Sequence, residues 1–252
     1  MSSVCLLTGF GINADHELAL AFESAGARVT PTHVSELQEH PGLLSRFGIL
    51  AVPGGFSFGD HLGSGMVLAS LFRADLGTVV RGFVRDGGLV IGVCNGFQIL
   101  VKSGLLPDLY GTGEPCASLV WNDHGHFIDR WVHLRVDRGE ASPWLSGMDG
   151  TWDMPIRHGE GRFLFKDDDA RARARDLGVS TLHYVGANPN GSEDAIAGIT
   201  DSSGRILGMM PHPEAYLYPE LHPNARALLS GDGPGESPVL GLFRNGVAAA
   251  VR

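Results

Sequence analysis

The residues Leu89-Val90-Ile91-Gly92-Val93-Cys94-Asn95-Gly96-Phe97-Gln98-Ile99-Leu100 constrain this chain more than any other stretch. Leu89 to Val93 is a short apolar run rich in β-branched side chains, entered from Gly87-Gly88, and reads as a buried strand. From Phe97 the apolar spacing turns helical through Ile99 and Leu100, then stops at Ser103-Gly104. Cys94 therefore stands at a strand-to-helix turn, with Gly92 and Gly96 two residues away on either side. G-x-C-x-G is the spacing of a nucleophile elbow with sulfur in place of the serine oxygen. The glycines answer a crowding problem, because a Cβ at either position would collide with the strand or the helix beside strained backbone. At a helix N-terminus the sulfur meets free N–H groups and the positive end of the dipole, which suit a nucleophile. The amide of Asn95 is placed to help stabilise an oxyanion. The ordinary alternative is a buried structural cysteine. The paired glycines and the strand-to-helix switch favour the nucleophile.

The rest of the chain restricts the setting. Its 252 residues suit an α/β protein with a sizeable core, and 43% of them are hydrophobic. A net charge of −9 argues against nucleic acid or an anionic membrane as a partner. Lys102 and Lys166 are the only lysines, a compositional bias toward arginine. Three cysteines (Cys5, Cys94 and Cys116) without a C-x-x-C argue for a reducing compartment and against a disulfide framework or a zinc site. Met1-Ser2-Ser3 lacks the basic start of a signal peptide, and no apolar run approaches membrane-spanning length, so a cytoplasmic protein is expected.

In chain order, Val4 to Thr8 reads as a first strand ending in Gly9-Phe10-Gly11. Asn13 is a good N-cap for a helix over Ala14 to Ser24. Arg28 to Thr30 is a second strand, Ser35 to Arg46 a helical segment broken at Pro41, and Gly48 to Val52 a third strand. This alternation predicts a doubly wound, mostly parallel sheet with its ligand site beyond the carboxyl ends of the strands. Pro53-Gly54-Gly55-Phe56-Ser57-Phe58-Gly59-Asp60 leaves the third strand at that edge, and its adjacent glycines suit the second half of an oxyanion hole. No G-K-[ST] follows, so it is not a phosphate loop. Leu62 to Arg85 is long and mostly helical.

Ala117 to Trp121 and Arg130 to Val136 are strands around the polar turn Asn122-Asp123-His124-Gly125. His124, His126 and His133 lack compact metal-ligand spacing, and alternation puts His133 and Arg135 on the polar face of a strand, so no metal site is expected. Met154 to Phe163 is a short strand entering a glycine-bounded turn. There His158, Glu160 and Arg162 alternate and would share a face if extended. A substrate or partner contact and a solvated hairpin both fit. Lys166 to Leu177 is an exposed helix. Thr181 to Val185, Ala195 to Thr200 and Arg205 to Met210 are further strands. Gly231 to Gly235 is a breaker in a loop-rich tail, and Leu240 to Val251 is a last amphipathic helix. Without a repeat or linker, one domain over 1–252 is the simplest reading.

Pro211-His212-Pro213-Glu214 follows the strand ending at Met210. The flanking prolines deny His212 helical geometry and hold it extended. Residues two apart then point the same way, so His212 and Glu214 can act as a base and its orienting carboxylate. With Cys94 they make a Cys-His-Glu triad, which is defined by geometry rather than by chain order.

Four motifs carry a family resemblance: P-G-G-F-S-F-G-D from Pro53, G-V-C-N-G-F-Q from Gly92, H-G-E-G-R-F from His158, and G-M-M-P-H-P-E from Gly208. In order and spacing they resemble the class I, triad-type glutamine amidotransferases, and among these the glutaminase subunits of phosphoribosylformylglycinamidine synthases. The resemblance spans most of the chain and implies a flavodoxin-like α/β fold with added antiparallel strands. It implies that Cys94 attacks the glutamine side-chain amide, that His212 shuttles protons and that Glu214 orients it. The amides of Gly55 and Asn95 would form the oxyanion hole, with Gln98, Phe56, Ser57 and His158 contacting the substrate. A thioester forms, ammonia leaves, and water completes the hydrolysis. The chain itself would need no cofactor. ATP and Mg²⁺ would belong to a synthetase subunit, with a small accessory subunit a further possible partner. Ala14 departs from the cysteine of many relatives, and Ala215-Tyr216 departs after the His-Pro-Glu. Amidotransfer to another acceptor, or glutamine sensing without cleavage, are the alternatives the sequence leaves open.

Overall fold

A computed structural model describes residues 2–137, 139–228 and 236–250. Its strands are β1 (Ser3–Thr8), β2 (Arg28–His33), β3 (Ile49–Val52), β4 (Leu89–Val93), β5 (Ala117–Val120), β6 (Ile128–Val136), β7 (Gly150–His158), β8 (Arg162–Phe165), β9 (Ser180–Tyr184), β10 (Ile196–Thr200) and β11 (Ile206–Met209). The helices are α1 (Asp15–Ser24), α2 (Val34–Glu39), α3 (Met66–Leu71), α4 (Gly77–Arg85), α5 (Asn95–Lys102), α6 (Asp168–Leu177), α7 (Ala225–Leu228) and α8 (Leu240–Ala249). The sequence places most of these within a few residues. The proposed breaker at 231–235 lies outside the described residues.

Nine strands form one sheet in the order β2-β1-β3-β4-β11-β10-β9-β6-β7, and β5 pairs with β8 separately. Strands β2, β1, β3, β4 and β11 are parallel. The remaining strands, from β10 outward, add antiparallel. This is the α/β class the sequence implies, with the 2-1-3-4-5 parallel order of flavodoxin-like sheets. Burial explains the two halves. Every residue of β3, β4 and β11 is buried, as helices on both faces require. β6 instead alternates from Trp131 onward, with His133 and Arg135 exposed between buried Val132, Leu134 and Val136.

Two expectations about local structure change. Asn13 does not cap α1: the N-cap is Ala14, with no side-chain hydrogen bond. The N–H groups of Asn13 and Ala14 instead both donate to the Gly54 carbonyl, at 3.3 and 3.2 Å, which draws the segment onto the loop after β3. The helix expected from Leu62 starts at Met66, because Gly63 and Gly65 take φ of 108° and 71°. From there α3 continues through a π-helical turn into α4.

The glycines at the elbow match the crowding argument. A Cβ on Gly96 would overlap the Val52 carbonyl, and one on Gly92 would lie 2.8 Å from the Gly96 carbonyl carbon. Helix α5 can therefore lie directly against β3 and β4. Gly96→Ala is expected to cost about 3 kcal/mol or more, at the upper end of overpacking, or to prevent folding. Gly241 in α8 meets nothing within 4 Å. Gly241→Ala should stabilise by roughly 0.5 kcal/mol, the helix-propensity gain. Urea denaturation of the two variants checks both signs.

Candidate active site

The loops leaving β1, β3, β4 and β11 meet at one edge of the sheet. Cys94 follows β4 with φ 52° and ψ −105°, outside the ordinary regions for a residue with a side chain. Bonds on both sides hold it there. Its N–H donates to Met209 O at 2.8 Å, and its carbonyl accepts the Gln98 N–H at 3.0 Å. Cys94 Sγ lies 3.6 Å from the Arg157 carbonyl. The other thiols sit elsewhere, and burial pushes Cys5 up to about 11 and also raises Cys116.

His212 follows β11 and is buried. Its Nδ1–H donates to Glu214 Oε1 at 2.6 Å, as the two-residue spacing suggests. Burial opposes a charge on this ring, but the Glu214 carboxylate and the Cys94 sulfur outweigh it, so His212 holds its proton above the ordinary histidine range. Its Nε2 is buried without a hydrogen-bond partner among the described residues. His212 and Cys94 converge on Gly54. A Cβ there would lie 3.1 Å from His212 Cε1, 3.5 Å from Cys94 Cβ and 3.6 Å from Ala14 Cβ. The contact with the His212 ring is closer than a Cβ usually makes, and the other two are ordinary van der Waals distances.

Gly55, with φ 145°, forms an isolated antiparallel bridge with Ile12. The bridge's hydrogen bonds run from Asn13 N–H to Gly54 O and from Phe56 N–H to Gly11 O. The flanking residues carry the pairing, so the Gly55 N–H points away from the bridge. The Asn95 N–H is the first amide of α5 and has no carbonyl one turn back.

A cavity of about 220 Å³ joins these parts, lined by Asn13, Ala14, Glu17, Gly55, Phe56, Asp60, Ser64, Cys94, Gln98, Phe127, Arg157, His158, Gly159 and His212. Of the residues named from sequence, Cys94, His212, Gly55, Phe56, Gln98 and His158 line it. Glu214 and Asn95 stand behind that wall. Phe56 is half exposed at the rim, its ring centroid 6.5 Å from that of Phe127. Ser57, also expected to contact the substrate, does not line this cavity. It is buried off the cavity, with its N–H donating to Asn95 Oδ1 at 3.2 Å.

His158, Glu160 and Arg162 do not share a face, because the chain leaves β7 at His158 and turns before β8 begins. His158 Nδ1 lies 3.1 Å from Asn122 Oδ1. Asn122 Nδ2 donates to the carbonyls of His126 and His158, so its Oδ1 is the acceptor, also taking the Gly161 N–H at 3.0 Å. The ring therefore carries its proton on Nδ1. Burial, and then the positive charges of His212, His124 and Arg130, push His158 down to about 3. Its Nε2 is left as an unpartnered acceptor among the described residues. Arg162 Nε donates to Gly191 O at 3.1 Å, away from the cavity.

Sequence reading missed the polar layer under the cavity. Asp60 Oδ1 accepts from the Gly65 N–H and from Asn95 Nδ2, both at 3.2 Å, and its Oδ2 accepts from Ser64 Oγ at 2.9 Å. Burial raises Asp60 against these donors. Asn95 Nδ2 also donates to Gln98 Oε1 at 2.9 Å, and Gln98 Nε2 donates to Glu160 O at 2.5 Å. Asp60 stands inside a quoted motif and Asn122 inside a recognised turn, but no spacing signals that either reaches the site. Among the described residues no group of three or more His, Cys, Asp or Glu side chains is placed to hold a metal ion. Nor is any described helix long and apolar enough to cross a membrane.

The arrangement can attack a small carbonyl compound with sulfur, hold the resulting oxyanion on two amides and move a proton through one imidazole. Comparison with known proteins agrees. A family model described as the CobB/CobQ-like glutamine amidotransferase domain matches residues 1–248. The phosphoribosylformylglycinamidine synthase subunit PurQ of Dehalococcoides mccartyi is 39% identical over 243 residues, covering 94% of this chain and 93% of that protein. The PurQ subunit of Synechococcus sp. (strain JA-2-3B'a(2-13)) is 40% identical over 213 residues, covering 84% and 87%. A chain in the structure of PurLQS from Thermotoga maritima aligns over 100% of both chains, with a TM-score of 0.74 and 27% identity. Matched over nearly its whole length by both the family model and these relatives, the chain belongs to the glutamine amidotransferase family, in the PurQ line of phosphoribosylformylglycinamidine synthase subunits.

Proposed function

We propose that this chain is the glutaminase subunit of a phosphoribosylformylglycinamidine synthase. It hydrolyses glutamine and supplies the ammonia to a synthetase subunit. That subunit converts formylglycinamide ribonucleotide to formylglycinamidine ribonucleotide in purine biosynthesis. The observation that carries the chemistry is the strained Cys94 sharing one cavity with the buried His212, whose ring Glu214 holds from behind.

The Cys94 thiol gives its proton to His212 Nε2, which Glu214 helps to hold there, and the sulfur then attacks the side-chain carbonyl carbon of glutamine. The tetrahedral oxyanion rests on the N–H groups of Gly55 and Asn95. His212 returns the proton to the departing nitrogen, ammonia leaves, and a glutamyl thioester remains. Water, deprotonated by His212, attacks the thioester. The sulfur departs and regains its proton, releasing glutamate. Glu214 holds the imidazole by its Nδ1–H and balances the imidazolium. Gln98, Phe56 and His158 bound the substrate, and the unpartnered His158 Nε2 offers an acceptor for a glutamine N–H. The chain works in the cytoplasm without a cofactor of its own. ATP and Mg²⁺ bind the synthetase, and a small accessory subunit completes the assembly. The half-exposed rings of Phe56 and Phe127 at the cavity rim give such a partner an apolar surface to cover. A complete base–carboxylate pair beside the thiol favours cleavage over a purely sensing role.

Cys94→Ala should lower glutamine hydrolysis by more than about 10³-fold while leaving the thermal melt unchanged. Mass spectrometry after treatment with a glutamine-like diazoketone should find the adduct on Cys94 of the wild type. Full turnover by the substituted protein would refute the nucleophile. Hydrolysis by the isolated chain should be slow and should rise at least about tenfold when the synthetase, ATP and acceptor are added. An unchanged rate would remove the proposed coupling.

Because His158 is held below its unfolded value of about 6.5, the unfolded chain binds the extra proton between the two values. Its contribution to stability is complete above pH ~6.5 and is lost as pH falls toward the folded value. The stability advantage of wild type over His158→Gln should therefore shrink by about 1.4 kcal/mol per pH unit between pH ~6 and ~4. Parallel urea denaturation series at several pH values measure it, and equal slopes would show that the ring is not held neutral.

A further inference from the structure

Lys102 is the last residue of α5, eight residues and roughly 12 Å along the helix from Cys94. Its side chain is only 7% exposed. A lysine is normally left in water, and burying its charge is costly without close partners. Two partners are present. Nζ donates to the Ser64 carbonyl at 2.6 Å and lies 3.5 Å from Glu160 Oε2. That same carboxylate oxygen accepts the Ser64 N–H at 3.1 Å. Burial lowers Lys102, and the charges of Glu160 and Asp60 resist the change.

The segments joined in this way are walls of the cavity. Asp60 and Ser64 line one side and His158-Gly159 another, with Gln98 between them. The turn holding Asp60 is under backbone strain, with φ of 54° at both Phe58 and Asp60, and so needs outside support to persist. On the other side, Glu160 O receives the Gln98 amide. One ammonium therefore holds the strained turn, the chain after β7 and the Gln98 side chain in register.

We propose that Lys102 is a positioning residue for glutamine: by stapling the Asp60–Ser64 turn to Glu160 it sets the spacing of the pocket walls that grip the substrate, and it takes no part in the chemistry at Cys94. This rests on the glutaminase reading above. Lys102 acts on how much glutamine is needed, while the elbow and the His212–Glu214 pair act on how fast the bound molecule reacts.

The test is labelling of Cys94 in the full chain by a glutamine-like diazoketone, which separates the half-saturating concentration from the maximal rate. Lys102→Met should raise the half-saturating concentration about tenfold, the effect of one lost charge-assisted contact, and change the maximal rate by less than roughly threefold. Lys102→Arg, which keeps the cation, should recover most of the loss. Iodoacetamide has no amino-acid end for the walls to grip and should alkylate Cys94 at the wild-type rate in every variant. The double variant Lys102→Met, Glu160→Gln removes the buried charges together. It should regain the melting temperature lost by the single change while diazoketone binding stays weak. This double variant also carries the comparison if Lys102→Met alone does not fold.

Half-saturation that recovers in step with the melting temperature would overturn the proposal, because Lys102 would then serve stability alone. So would an unchanged half-saturation in folded Lys102→Met, or equal slowing of both reagents. If the diazoketone fails to label wild-type Cys94 at all while iodoacetamide succeeds, the glutaminase reading itself falls and this inference falls with it.

Discussion

The close approach of Gly96 to the Val52 carbonyl governs the whole edge of the sheet. It lets α5 begin immediately after β4 and lie against β3 without a side chain intervening. Three consequences follow from that one contact. The first amide of the helix is left without a carbonyl one turn back. Cys94 is forced into a conformation its side chain would not choose. The strain is then sustained by the backbone bonds to Met209 and from Gln98 rather than relieved. The site is a by-product of how tightly a helix can be laid on a parallel sheet.

Two buried histidines face the same cavity with opposite tendencies, and the difference lies in their partners. His212 has a carboxylate on Nδ1 and sulfur nearby, so it keeps a proton. His158 has a neutral amide on Nδ1 and cations in its surroundings, so it sheds one. A charged and a neutral imidazole thus coexist in one cavity, which suits the roles proposed for them, with environment rather than residue type setting the difference. Burial acts against charge on both rings. At His212 a carboxylate two residues along the chain, joined by the Cys94 sulfur, reverses its effect, which is why the short H-P-E stretch weighs more than its length suggests.

The parallel half of the sheet was legible because its strands are short, fully apolar and punctuated by glycine. The elbow was legible because crowding leaves few residues that could flank Cys94. His212 and Glu214 were legible because local geometry alone orients one on the other. Other features were hidden for a common physical reason: they depend on contacts between segments far apart in sequence. Asn13 has the chemistry of a cap, but a carbonyl from the loop after β3 claims its backbone. Ser57 sits inside a glycine-rich motif and yet turns inward to hold Asn95. His158, Glu160 and Arg162 alternate as a strand would, but the glycines between them send the side chains to three destinations. Lys102 carried no signal beyond its rarity. The amino acids with the most recognisable spacing were those whose partners lie within a few residues.

Strands β4 and β11 are hydrogen-bonded neighbours, paired Gly92 to Gly208 and Val93 to Met209, and the proposed nucleophile Cys94 and base His212 leave them a few residues later. The separation of sulfur and imidazole is thereby tied to a rigid ladder at the centre of the molecule. The Gly55 donor belongs to a loop anchored by an isolated bridge. A protein docking on this edge would meet that loop and the segment after β1 as one bonded unit, whereas pulling the proposed reactive pair apart would mean tearing the sheet.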